Sequence, residues 1–173
     1  DCVTIAAVLS GSFKYRTHAG QSLMHPGGFV LGEAGRCYEC GHEHGRGDRC
    51  MAFGISPAYF DEIAYGAVGA TRFSFAIPAL PAAAGLMPLA TRIATLNKSD
   101  VLAIEEMVVR LAFAATTVAS GKTPSKIGIS AGDEKRITRA MRYIEAHSSE
   151  SINIDRLATI ASLSKFHFLR VFA

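Results

Sequence analysis

The chain has 173 residues, 49% of them apolar, which is enough for a packed core and too apolar for a disordered segment. Its 18 lysines and arginines oppose 15 aspartates and glutamates, a net charge of +3. That balance excludes a polycation, so any surface for nucleic acid must be local.

From the start to about Pro57, short apolar runs ("VTIAAVLSG", "FVLGE", "CMAFGIS") alternate with glycine-rich turns, the pattern of a small β region. No basic leader and apolar block precede them in "DCVTIAAVLSGSF", so no secretory signal is read and the cytoplasm is the expected location. In "SGSFKYRT", alternation puts Phe13 and Tyr15 on one face, with Lys14 and Arg16 on the other. "HPGGF" marks a turn, near which His18 and His25 are expected to be solvated. Cys2 is expected to serve only in packing.

The stretch "CYECGHEHGRGDRC", Cys37 to Cys50, concentrates three of four cysteines and two of six histidines. Three readings stand side by side. Cys37, Cys40, His42, His44 and Cys50 supply the thiolates and imidazoles of a tetrahedral zinc site, structural or sensory. Cys37 with Cys40 or Cys50 could be a thiol redox switch, with Arg36 and Arg49 favouring thiolates. In the third reading the cysteines are small buried hydrophobes and the histidines are solvated.

From Pro57 to about Lys122 the period lengthens to that of helices. Ser56 and Pro57 suit a helix start, "TRFSFAIP" reads as one more strand, and "GLMPLATRIATL" reads as a helix. The long helix begins near Ser99 and Asp100. Its Glu105, Glu106 and Arg110 argue against a membrane span. Val101, Ile104, Val108, Leu111, Ala115 and Val118 make a heptad-like seam, read either as core or as a homodimer interface formed by Ile104, Val108, Leu111 and Ala115. Met87 and Met107 are expected to fill the core. Residues 121–132 then read as a linker between a domain at 1–120 and another at 133–173.

The last forty residues carry dense helix logic. Ile137, Ala140, Met141 and Ile144 share a face of one helix, which ends near His147. Asn153 caps a short helix with Leu157, Ala158 and Ala161 buried. "SLS" makes a turn, with Leu163 inward, and Ser164 caps a last helix with Phe168 and Phe172 inside. Lys165, Phe166, His167 and Arg170 lie on the other face. Seven basic and five acidic residues between 133 and 173 leave a net +2, compatible with phosphates.

Two short helices around such a turn form the arrangement that seats its second helix in a DNA major groove, where arginine can bond a guanine edge. "YIEAHSSESINIDRLATIASLSKFHFLRVF" resembles the first helix-turn-helix of the AraC/XylS family of bacterial transcription regulators. "LMHPGGFVLGEAG" and "GDRCMAF" resemble the cupin-like effector domain of some members. The resemblance implies an α+β fold: a cupin-like β region with a helical dimerisation segment, followed by an all-α helix-turn-helix subdomain. It implies Phe166 and Arg170 in the groove and Phe168 and Phe172 in the core. Leu169 stands where many relatives have a polar residue. The family's second helix-turn-helix has no counterpart before Ala173, so DNA binding by this chain is expected to be weak. The effector would be a small molecule or a metal, with zinc the metal that suits the cysteines.

A rival reading is a small metal-dependent cupin enzyme, for which "HEH" would supply two ligands. The third histidine and a downstream glutamate are missing from it, Asp48 being the nearest carboxylate, and an enzyme is not expected. A further alternative is a zinc- or redox-sensing module with no DNA binding of its own.

Overall fold

Alternation builds the N-terminal unit. In β2 (Phe13–Thr17) the rings of Phe13 and Tyr15 are buried while Lys14 and Arg16 are exposed. The computed structural model describes residues 1–41, 47–83, 85–121, 130–147 and 149–172. Among them the chain is mixed α and β, with six helices and two antiparallel sheets. It divides into two compact units, Asp1–Pro124 and Ser125–Ala173.

In the first unit β1 (Val3–Ser10) lies between β4 (Phe29–Gly32) and β6 (Arg49–Ile55), with the short β7 (Ala79–Leu80) beyond β4. A second sheet runs β3 (Gly20–Met24), β2, β5 (Glu39–Gly41). Register sorts the side chains of β1. Ile5 pairs with Leu31 and Phe53, and Ala7 with Phe29, giving one buried apolar face. Ala6 and Val8 point the other way and pack with Phe13, Tyr15, Met24 and Val30. The strand is thus apolar on both faces because both are covered.

Helices α1 (Pro57–Val68), α2 (Met87–Ala94) and α3 (Val101–Ala119) complete the unit, with α3 packed on α1 and α2. Asp100 caps α3, its carboxylate accepting from the Ala103 amide at 3.0 Å, at the start expected near Ser99 and Asp100. A left-handed Gly69 ends α1.

The expected strand in "TRFSFAIP" does not form. Residues 71–78 are irregular, and their amides go to side chains instead of a ladder. Phe73 donates to Asp61 at 3.3 Å and Phe75 to Glu33 at 2.7 Å. Phe73 and Phe75 both face Phe60, an aromatic cluster that satisfies the apolar pattern without a strand. Met107 is core as predicted, whereas Met87 is 43% exposed at the start of α2.

The second unit contains α4 (Ala131–Ala146), α5 (Ile154–Ala161) and α6 (Lys165–Phe172), each in contact with the other two. Helix α4 starts two residues earlier than the predicted 133, because the Ser130 hydroxyl accepts from the Asp133 amide at 3.0 Å. Asn153 caps α5, accepting from the Arg156 amide at 2.8 Å, and Ser164 receives the His167 amide at 3.1 Å. The caps place α5 and α6 where the sequence logic puts them, whereas Met141, expected on the apolar face of α4, is 49% exposed.

Candidate nucleic-acid interface and ligand cavity

Helices α5 and α6 are eight residues each, and the turn between them is Ser162, Leu163 and Ser164. Ser162 adopts a left-handed conformation, φ 54°, which reverses the chain. The Leu163 amide closes on the Ala158 carbonyl at 3.0 Å. Leu157, Ala158 and Ala161 bury the inner side of α5, and the small alanines let the helices approach closely.

On α6 the inner face is Phe166, Phe168 and Leu169. This corrects two expectations. Phe166 is 4% exposed and cannot present its ring to a groove, and Phe172 is 42% exposed, although stacked on Phe168 at 5.0 Å. The apolar stripe is centred nearer 169 than the 168/172 pair suggests, since residues 166 and 169 are three apart on one side. Leu169 is consequently a core residue, which accounts for its apolar character.

Three of the predicted DNA-facing side chains remain partly open to solvent. Lys165 reaches back to Asp155 on α5, 3.4 Å away. Arg170 lies over the Phe166 ring at 5.7 Å, with His167 Nδ1 3.4 Å from its guanidinium. On its other side, His167 Nε2 stands 3.3 Å from Asp133 of α4. The Ser130 hydroxyl donates to that carboxylate at 2.8 Å and holds it below the ordinary range, with His167 adding to the effect. Arg170 is therefore braced by ring and imidazole rather than loose, a preorganisation that suits a reading side chain. Arg156, Thr159, Ser162 and Ser164 are exposed along α5 and the turn. Sequence reasoning did not single them out for contact, since burial on neighbouring helices is what leaves that edge free.

The first unit contains a cavity of about 620 Å³ between the inner faces of its two sheets. Alternation explains the walls: Thr4 and Ala6 from β1, Ala52 from β6, and Phe13 and Tyr15 from β2 all point inward. All four cysteines line it. Cys2 precedes β1, Cys37 lies in the connection before β5, Cys40 pairs with Tyr15 across the second sheet, and Cys50 lies on β6. The four are free thiols, and each residue is exposed at the rim. Cys2, read as packing, is thus a wall residue whose thiol meets Thr4 Oγ1 at 3.6 Å.

The Cys50 thiol donates to Asp48 at 3.2 Å. Burial of its sulfur, the Asp48 hydrogen bond and the carboxylate charge push it up to about 12. Burial and Asp48 raise Cys40 as well. This runs against the expectation that Arg49 favours a thiolate at Cys50, because Asp48 faces that thiol and opposes its ionisation. Alkylation by iodoacetamide at pH 8 should therefore modify Cys50 about a hundredfold more slowly than free cysteine, and Asp48→Asn should speed it. Peptide mapping checks this; equal rates for Cys50 and free cysteine would refute the thiol state. Linkage follows the same sign: a raised thiol stabilises the fold below the ordinary range and loses that contribution in alkali.

His42 and His44 lie outside the described residues, and among those described no group of three histidines, cysteines or carboxylates is placed to hold a metal ion. Tyr15, whose hydroxyl donates to the Leu31 carbonyl at 3.1 Å, stays protonated on the cavity floor, raised to about 12 chiefly by burial. His18 contacts Glu33 at 3.3 Å, so it is paired as well as partly solvated.

The predicted dimer seam divides. Leu111 and Ala115 are 1% and 0% exposed within the chain's own core, which corrects them from partner-facing to core residues. Ile104 and Val108 are half-buried. Val101, Leu102 and Val118 are the exposed apolar residues of this helix. Among the described residues no helix is long and apolar enough to cross a membrane.

Searches against known proteins add one structural likeness. The chain superposes over 99% of its length on the AraC-like transcriptional activator CuxR, with a TM-score of 0.50 and 16% identity. The two share a fold. The chain spans 60% of that protein's length. No protein-family model matches the chain, and no curated protein does.

Proposed function

We propose that the chain is the effector-sensing and partial DNA-binding region of an AraC-type transcription regulator. The observation that carries this reading is the α5, turn, α6 unit: two eight-residue helices about a three-residue turn, with Arg170 braced at its surface. In that role α6 enters the major groove, Arg170 and His167 face base edges, and Lys165 and Arg156 approach phosphates. The cavity of the first unit takes the effector, in a cupin-like domain. Ligand binding there acts by shifting populations of a conformation that presents the helices to DNA.

A homodimer fits the same reading, since two weak units on one operator gain from effective concentration. Of the α3 seam, Val101 and Val118 at its two ends are exposed and free to serve, while Leu111 and Ala115 are core. The protein would work in the cytoplasm, without enzymatic activity.

Titrating labelled duplex DNA into the chain tests the reading. Two to four phosphate contacts imply a slope of about −2 to −4 in log K against log salt. Binding should be weak, because one helix-turn-helix supplies only part of the contacts.

A further inference from the structure

The first unit carries a chemistry that the regulator reading does not use. Cysteine occurs four times in the chain, and the four come to one cavity from three segments, Cys37 and Cys40 sharing one. Nothing in the fold requires that convergence, since the four thiols are free and none is packed into the core. The rest of the wall is aromatic and aliphatic: Phe13, Tyr15 and Tyr38, with Ala6, Val30 and Ala52.

We propose that this cavity binds a trivalent arsenic or antimony centre that carries an organic group, with Cys40 and Cys50 bonding the metalloid and the aromatic wall receiving the group. The proposal rests on the reading of the first unit as the effector-sensing one and names the chemistry of its effector.

Three observations select this class. The cavity, at about 620 Å³, is some twenty times the ~30 Å³ share of a water molecule, so a bare ion would leave it almost empty. Among the described residues the cavity brings two thiols together from opposing sheets, Cys40 of β5 and Cys50 of β6. A metalloid with one organic substituent needs only two thiols to complete three bonds. The rings offer the substituent a flat apolar surface, with Tyr15 and Tyr38 5.7 Å apart and tilted. Cys40 faces inward beside Tyr15, and Cys50 stands on the opposing sheet with Asp48 at its thiol.

The step balances without an oxidant. Starting from an oxo form R–As=O, two As–S bonds form as two S–H bonds and the arsenic–oxygen bond break. The oxygen leaves as one water, carrying both thiol protons. Arsenic and sulfur keep their oxidation states. Asp48, already the acceptor of the Cys50 proton, can pass it to the departing oxygen.

Phenylarsine oxide is the probe, added to the whole chain at one equivalent, with free thiols counted by a disulfide dye. The expected count falls from four to two. Cys40→Ser and Cys50→Ser should each weaken binding about a hundredfold, since one thiol loses the chelate, whereas Cys2→Ser should leave it intact. Inorganic arsenite, lacking the organic group, should bind at least about tenfold more weakly. Circular dichroism of each variant establishes that it is folded. Four thiols still free, a loss that follows Cys2 or Cys37 instead, or equal binding of arsenite would each overturn the proposal. The readout is thiol count, so a chain that fails to bind DNA and a cavity that fails to bind the arsenical are told apart.

Discussion

Replacing Phe168 by alanine should unfold the C-terminal unit while the β unit stays folded. Phe168 is fully buried among three short helices and stacks on Phe172 at 5.0 Å. Truncating such a ring costs about 3–5 kcal/mol, part of it lost transfer energy and part the cavity left behind. A unit of some fifty residues holds only about that much stability in total, so the loss wins. Amide hydrogen exchange reads the result: α4, α5 and α6 should lose protection while β1 and β6 retain theirs. Protection surviving in α5 and α6 would show that Phe168 is not the centre of that core.

Leu111→Ala should destabilise the first unit by about 2–5 kcal/mol. The residue is 1% exposed, in a helix packed on α1 and α2, and the void cannot collapse without moving them. Val101→Ala, at 65% exposure, should change stability by less than about 0.5 kcal/mol. Urea unfolding followed by circular dichroism gives both values. The pair also separates core from interface. If the 104–115 seam were an interface between copies, Leu111→Ala would lower the association constant in sedimentation and spare the monomer's stability.

Several elements were legible because local chemistry alone decides them. The caps at Asn153 and Ser164 act within three residues of sequence, and their hydrogen bonds are present. Alternation in β2 needed only the strand period to place Phe13 and Tyr15 inside. What failed depended on partners distant in sequence. "TRFSFAIP" has strand-like alternation, but Asp61 and Glu33 hold its amides and Phe60 holds its rings. The orientation of α6 turned on Phe166, which an eight-residue helix can bury or expose with a small rotation. The heptad-like seam of α3 was legible as a stripe, yet which surface meets it is settled by α1 and α2.

The thiol cavity shows the same limit. The cluster from Cys37 to Cys50 is conspicuous in sequence, but Cys2 lies 35 positions before it and joins only because β1 pairs with β6. Spacing shows Asp48 only as the carboxylate nearest to "HEH"; its contact with Cys50 makes it the group that keeps the thiol protonated. Spacing alone gave the donors and not the charge around them.

The central claim is that α6 reads DNA, and the most direct measurement is the salt dependence of duplex binding by the chain beside its Arg170→Ala variant. Fluorescence anisotropy of a labelled duplex from low to physiological salt should give weak binding that declines steeply as salt rises. Removing Arg170 should weaken it by about 1–3 kcal/mol at a preferred site. No binding at the lowest salt, or identical curves for the two proteins, would contradict the account.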